Sequence, residues 1–272
     1  MDTSLANGFA NLLMMLFMCE KNGNTDVRGV VEGDDGLFVM TGRPPTDDLF
    51  NRMGLHLKFD TYHSIGDTSF CGCMFDPGDM TLVMDPIKAI LRLGWGTERY
   101  VRAGLRRLKA LLRAKALSYG HSFPACPVIS EAAKMALRVT NDVTHYQMVK
   151  AVTRLRLPQW DREALLGAIH KGYPPFKEPT TASRDVVDRK FSLSESDQLY
   201  LEARYRCHND LSAVSIDPTF FNEDQQDYYD KYYVPCKHYD YAGGADTNFR
   251  IIDWIKAVAR QCKTFTLVDA YF

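Results

Sequence analysis

The 272-residue chain has almost no net charge: 33 lysines and arginines stand against 34 aspartates and glutamates, for a formal charge of -1. Attraction to nucleic acid through overall charge is thereby excluded, and any such binding has to come from local basic faces. No stretch is long and apolar enough to span a bilayer, and there is no internal repeat or low-complexity tract. The apolar run within Met1 to Glu20 has no basic region ahead of it and no small-residue cleavage pattern behind it, so it does not read as a secretion signal. The seven cysteines (Cys19, Cys71, Cys73, Cys126, Cys207, Cys236, Cys262) are an odd, scattered set in a chain too large to need disulfide staples. That usage fits a reducing, cytosolic compartment. Cys71 with Cys73, and Cys236 with His238, lack a partner pair at zinc-ligand spacing and read as free or buried thiols.

What the chain does have is a hydrophobic content of 46%, enough to bury a core in one large domain or two smaller ones. From Ser4 to Met18, Leu5, Phe9, Leu12, Leu13, Leu16 and Phe17 recur at helical spacing, with Thr3 and Ser4 suited to cap the start. Val27 to Val31 and Leu37 to Met40 read as strands of a hairpin whose tip is Glu32-Gly33-Asp34-Asp35-Gly36. A helix over Asp47 to Met53, a strand over Leu55 to Phe59, and a second hairpin from Ser69 to Phe75 and Thr81 to Met84 follow. From Pro86 the pattern is helical: Pro86 to Leu93, Thr97 to Ser118, Ser130 to Arg138, Val143 to Arg154 and Arg162 to His170. After Gly172-Tyr173-Pro174-Pro175 the chain reads as loop, with weaker helices at Ser194 to Cys207 and Phe249 to Cys262.

The sharpest chemical feature is Val30-Val31-Glu32-Gly33-Asp34-Asp35-Gly36-Leu37-Phe38, two adjacent carboxylates on a tight turn between apolar strands. Two carboxylates about 4 Å apart repel by roughly 4 kcal/mol at an effective dielectric near 20, so the pair calls for solvent or a cation. Mg²⁺ accepts carboxylate and phosphate oxygens together, which suits nucleotidyl transfer by two ions; Mn²⁺ is the alternative. Gly33 and Gly36 permit the bend and the approach of a nucleic-acid terminus. The plain alternative is a surface hairpin, since Asp-Gly is a common turn signal. The apolar strands on both sides lead to the expectation that the hairpin is inserted in a buried sheet.

Asp2-Thr3-Ser4-Leu5-Ala6-Asn7-Gly8-Phe9-Ala10-Asn11 resembles motif B of the RNA-dependent RNA polymerases of positive-strand RNA viruses, especially the tombusvirus-like and nodavirus-like groups. Gly33-Asp34-Asp35 resembles their motif C at the usual distance, and Gly54-Leu55-His56-Leu57-Lys58-Phe59 their motif D. Phe70-Cys71-Gly72-Cys73 resembles motif E, and Asp85-Pro86-Ile87-Lys88-Ala89-Ile90-Leu91 the start of the thumb. The resemblance implies an α+β fold: a partial palm over residues 1–85, a mostly helical thumb over 86–175 and an extension of unassigned role over 176–272. It implies that Asp34 and Asp35 hold the metal, that Thr3, Ser4 and Asn7 bind the nucleotide, Thr3 and Asn7 at its ribose 2′-hydroxyl, and that Phe70, Cys71 and Gly72 support the primer. It also implies a general acid for the departing pyrophosphate, for which Lys58 is the candidate and His63 its competitor. Thr3 and Asn7 lie one helical turn apart, so both polar groups share a face, which agrees with reading a ribose.

Lys88, Arg92, Arg99, Arg102, Arg106 and Arg113 crowd the following helical region, where Leu105, Leu108, Leu111 and Leu112 supply an apolar face. They read as phosphate contacts to template and product RNA, with a solvated basic face as the bland alternative. The tyrosines Tyr228, Tyr229, Tyr232 and Tyr233 lie among acids that would repel a phosphate chain, so they point to packing or protein contact. The family's motif A and fingers have no counterpart in this sequence. The chain alone is therefore expected to be inactive, needing upstream palm and fingers from the same polyprotein or from a second chain. RNA and nucleoside triphosphates are the expected partners, in the host cytoplasm at membrane-associated replication sites reached through other parts of the protein. A reverse-transcriptase-like palm and a non-enzymatic viral RNA-binding protein are the competing readings.

Overall fold

The computed structural model describes residues 3–56, 59–93, 104–212, 214, 216–223, 225 and 226. Among the described residues the fold is mixed α+β and mostly helical, with two small two-stranded antiparallel sheets. It divides into two compact units, 1–80 and 81–272.

In the first unit, α1 (Thr3–Lys21) is followed by the antiparallel hairpin β1 (Thr25–Glu32) and β2 (Asp35–Thr41), then the short α2 (Asp47–Asn51). The register pairs Arg28 with Val39, Gly29 with Phe38, Val30 with Leu37, Val31 with Gly36 and Glu32 with Asp35, and an irregularity lies between Thr25 and Arg28. Gly29 is required by its partner: a Cβ there would come within 2.3 Å of the Phe38 ring and 2.8 Å of the Leu37 carbonyl oxygen. Phe38 thus lies flat over its own sheet, the usual way an aromatic covers a strand glycine. A small core forms where Met15, Met18 and Cys19 of α1 meet Phe50 of α2, with Val27, Phe38, Met40, Leu49, Leu55 and Phe59 packed around them.

Two expectations for this unit are corrected. The hairpin is not inserted in a buried sheet: among the described residues it is a two-stranded sheet, and Val30 and Val39 on its outer side are 52% and 65% exposed. The apolar strands are matched only on the side that faces α1. The segment Leu55 to Phe59 shows no strand at its described residues 55, 56 and 59; Gly54, at φ +74°, ends the α2 turn, and Leu55 and Phe59 serve as loop residues covering the core.

The second hairpin is β3 (Cys73–Phe75) and β4 (Leu82–Met84). The second unit is then built from α3 (Pro86–Arg92), α4 (Leu105–Ser122), α5 (Ile129–Val139), α6 (His145–Thr153), α7 (Gln159–Lys171), α8 (Thr181–Phe191) and α9 (Glu195–Cys207). Their starts follow local chemistry. Asp85 accepts from the Lys88 N–H, with Pro86 at the first helical position, and Thr144 and Gln147 form a reciprocal capping box. The Thr180 and Ser194 hydroxyls accept from the Ser183 and Asp197 N–H groups and so cap α8 and α9. Helix α4 is the hub, burying Leu108, Leu111, Ala114 and Leu117 against Ala136, Leu137, Met148, Val152, Leu165 and Ile169 of α5, α6 and α7. Helix α8 corrects the loop reading after Pro175. Only Val186 and Val187 give it a buried apolar pair, too weak a periodic signal among its charges.

One cluster of buried polar groups in this unit is tied together. Glu202 of α9, fully buried, takes both Arg184 nitrogens at 3.0 and 3.1 Å, Arg206 Nη2 at 3.2 Å and the Val128 N–H at 3.1 Å. Val128 sits at φ +64°, ψ -49°, with the Ile129 N–H donating to the Pro127 carbonyl at 2.7 Å. That is a γ-turn of the strained hand, with a β-branched residue at its centre. The Glu202 carboxylate pins the one N–H that this turn presents.

Candidate functional site

The hairpin tip is a two-residue turn, Gly33-Asp34, closed by the pair Glu32 and Asp35. Gly33 has φ +60° and Asp34 has not, the pattern of a type II′ turn with glycine at its first central position. Gly33 is buried against the beginning of α1: a Cβ on it would stand 3.4 Å from Ser4 Oγ, and a Cβ on Gly8 would stand 3.4 Å from the Gly33 nitrogen. Helix and turn meet closely at these two glycines; a Cβ at either would still be at van der Waals distance, and it is the positive φ of Gly33 that calls for glycine.

Side chains then fix the turn in place. Ser4 Oγ donates to Glu32 Oε1 at 2.7 Å, and Asn11 Nδ2 donates to the carbonyl oxygens of Asp34 and Asp35 at 3.2 and 3.4 Å. Ser4, Gly8 and Asn11 recur one turn apart, so a single polar stripe of α1 carries the acidic tip. A second turn meets the tip as well. Phe70 and Cys73 exchange main-chain hydrogen bonds of 2.9 Å each way around Cys71 and Gly72, both at positive φ, as in a type I′ turn. The Cys71 N–H donates to Asp35 Oδ2 at 2.6 Å. Burial first, and then the charges of Asp35 and Glu32, push the Cys71 thiol up, so it stays protonated beside the acids.

The expected residues are therefore distributed as follows. Asp34 is exposed and Asp35 half-buried, both at the tip; Ser4 and Cys71 touch that tip, and Asn7 is exposed on the same helix. Thr3 opens α1, and its side chain lies outside the described residues, as do Lys58, Arg99, Arg102, the Cys236 and His238 pair, the helix expected over Phe249 to Cys262 and the tyrosine cluster from Tyr228. His63 is exposed in a bend.

In the second unit Lys88 and Arg106 are exposed and Arg92 is half-buried. Arg113 Nη1 donates to the carbonyl oxygens of Leu137 and Thr140 at 2.7 and 3.0 Å, closing the C-terminal end of α5. Lys109 is held by both Asp142 oxygens at 2.7 Å. Part of the basic face seen in the sequence thus acts inside the unit.

Sequence reasoning passed over Asn11 and Glu32. The signal for Asn11 was its place three residues beyond Gly8 on the stripe begun by Ser4, and the signal for Glu32 was its place opposite Asp35 across a two-residue turn. Among the described residues no group of three or more His, Cys, Asp and Glu side chains is arranged to hold a metal ion. Two adjacent carboxylates, one exposed and one half-buried, nonetheless have the oxygen chemistry preferred by Mg²⁺, which binds through one or two carboxylates and keeps water or phosphate as its other ligands. No helix among the described residues is long and apolar enough to cross a membrane. Searches of protein-family models, curated proteins and solved structures return no match.

Proposed function

We propose that the acidic turn is the metal-binding half of an RNA-directed RNA polymerase site, and that this chain supplies part of the palm and thumb of that enzyme. The observation that carries the reading is the seating of Gly33-Asp34-Asp35 on the Ser4, Gly8 and Asn11 stripe of α1. With the carbonyls of Asp34 and Asp35 held by Asn11, the turn carries its two aspartates on a fixed backbone, which an unsupported surface turn does not. Asn7 stands on the same helix, where a nucleotide ribose beside those carboxylates would be read.

The ion would be held by Asp34 and Asp35, and when bound it would neutralise charge on phosphate oxygens. The chain's own residues do the positioning. Asn11 fixes the backbone of the pair, and the Cys71 N–H fixes Asp35 Oδ2. Two carboxylates alone leave coordination incomplete, so the remaining ligands come from a further polypeptide segment, and this chain alone extends no primer. Lys88 and Arg106 contact RNA phosphates in the second unit, and the work takes place in host cytoplasm at membrane-associated replication sites.

The test is Mn²⁺ binding by the full chain, followed by electron paramagnetic resonance, beside the Asp34→Asn and Asp35→Asn variants. Each substitution is expected to weaken binding about tenfold or more, the cost of about 1.4 kcal/mol or above for losing a charged ligand. Equal binding in both variants would sink the proposal and leave an ordinary hairpin.

A further inference from the structure

His145 and His170 meet at the closing end of the α6 and α7 pair, and nothing in the polymerase reading uses them. His145 is the first residue of α6, held there by the Thr144 and Gln147 capping box, and His170 lies in the last turn of α7. Their neighbours in sequence, Met148 and Ile169, are anchored in the core. The two imidazoles are therefore carried on fixed helix ends and not on loops. Nε2 of His145 lies 3.3 Å from Nδ1 of His170, the rings are tilted by 47° with centroids 5.1 Å apart, and both residues are exposed.

That separation is long for a hydrogen bond from a ring N–H, whose donor to acceptor distances fall at about 2.7–3.2 Å. It matches a chelate. Two imidazole nitrogens each about 2.0–2.1 Å from a tetrahedral ion stand about 3.3–3.4 Å apart. We propose that His145 and His170 form a two-imidazole site for a divalent transition cation of the zinc, nickel and copper class, which clips α6 to α7. Imidazole selects these ions over Mg²⁺ and Ca²⁺, which prefer oxygen, so this site and the acidic turn take different metals. With two protein ligands, water fills the remaining positions. The clip joins helix ends that are already in register, so the ion binds the folded unit and adds to its stability.

The test uses the full chain without a histidine tag, with Ni²⁺ as the probe and thermal unfolding as the readout. Ni²⁺ is expected to raise Tm by several degrees, Mg²⁺ at the same concentration to leave this transition where it was, and His145→Gln and His170→Gln each to abolish the nickel effect. Both positions are exposed, so the variants should keep the metal-free Tm of the parent. In the parent chain, zinc should move the ¹⁵N resonances of Nε2 in His145 and Nδ1 in His170. A nickel effect that survives in both variants, no effect in the parent, or zinc shifts confined to the opposite ring nitrogens would each overturn the assignment. The pair would then be a long imidazole contact and no more.

Discussion

The two units solve the burial problem in opposite ways. The second closes a core of its own: α4 is covered by α5, α6 and α7, and the buried Glu202 is paired with Arg184. The first holds a small core at one end of α1 and leaves Leu5 and Phe9, at 73% and 62% exposure, on the helix side away from the hairpin. A unit that packs its apolar residues inward is organised around stability. One that packs a polar stripe inward, Ser4 and Asn11 against a turn of acids, is organised around holding that turn.

The largest expected break in this comparison is at Glu202. Glu202→Leu removes an acceptor of Arg184, Arg206 and the Val128 N–H at once and leaves the buried Arg184 with only Gln198 Oε1 at 3.4 Å and Glu195 at 4.0 Å, at a cost of about 3–5 kcal/mol. Urea unfolding should show the loss in the α4 to α9 transition. If instead the variant is as stable as the parent, the buried network contributes nothing net.

The next is a pH effect at Lys115, whose amine donates to the Arg92 carbonyl at 2.8 Å from a buried position on α4. Burial, and then the Arg92 charge, push it down from 10.5 to about 7. Between those values the unfolded chain binds more protons than the folded one, so this group makes stability rise with pH from about 7 to about 10.5, by up to about 1.4 kcal/mol per unit. Below the folded value its contribution is constant and at its lowest. The urea midpoint of the parent should climb across that window, and Lys115→Met should flatten the climb; equal slopes would place the amine in water.

The smallest effect sharpens the contrast most. Gly29→Ala drives a methyl into the Phe38 ring and the Leu37 carbonyl, an overpacking worth about 1–3 kcal/mol. Hydrogen exchange should accelerate in β1 and β2 and stay unchanged in α4 to α7. Acceleration in both places would mean that the two units unfold together.

Much of the helical unit was legible because its punctuation is local. Asp85-Pro86 and Ser194 mark starts that the caps bear out, whereas the helix expected from Val143 begins at His145, after the Thr144 cap. Helix α8 was missed because Thr180 gave a cap but the segment lacked an apolar stripe, and the strand expected at Leu55 to Phe59 was misread because alternating apolar residues also suit a loop that covers a core. At the site, the glycines and paired aspartates were plain in the sequence. Asn11 was not, since an asparagine reads as solvated until something lies opposite it.

The period of the residues along α1, and the acid pair between two glycines, were determined by the sequence, because helix and turn preferences act over a few neighbouring residues. Which side of α1 is buried was decided only by tertiary structure. Leu5, Phe9, Leu13 and Phe17 define an apolar side, yet Gly8, Met15 and Met18 are the residues covered. Burial depends on where a partner can approach. Gly8 and Gly33, with no side chains, let the turn come closer to that side than any leucine would allow.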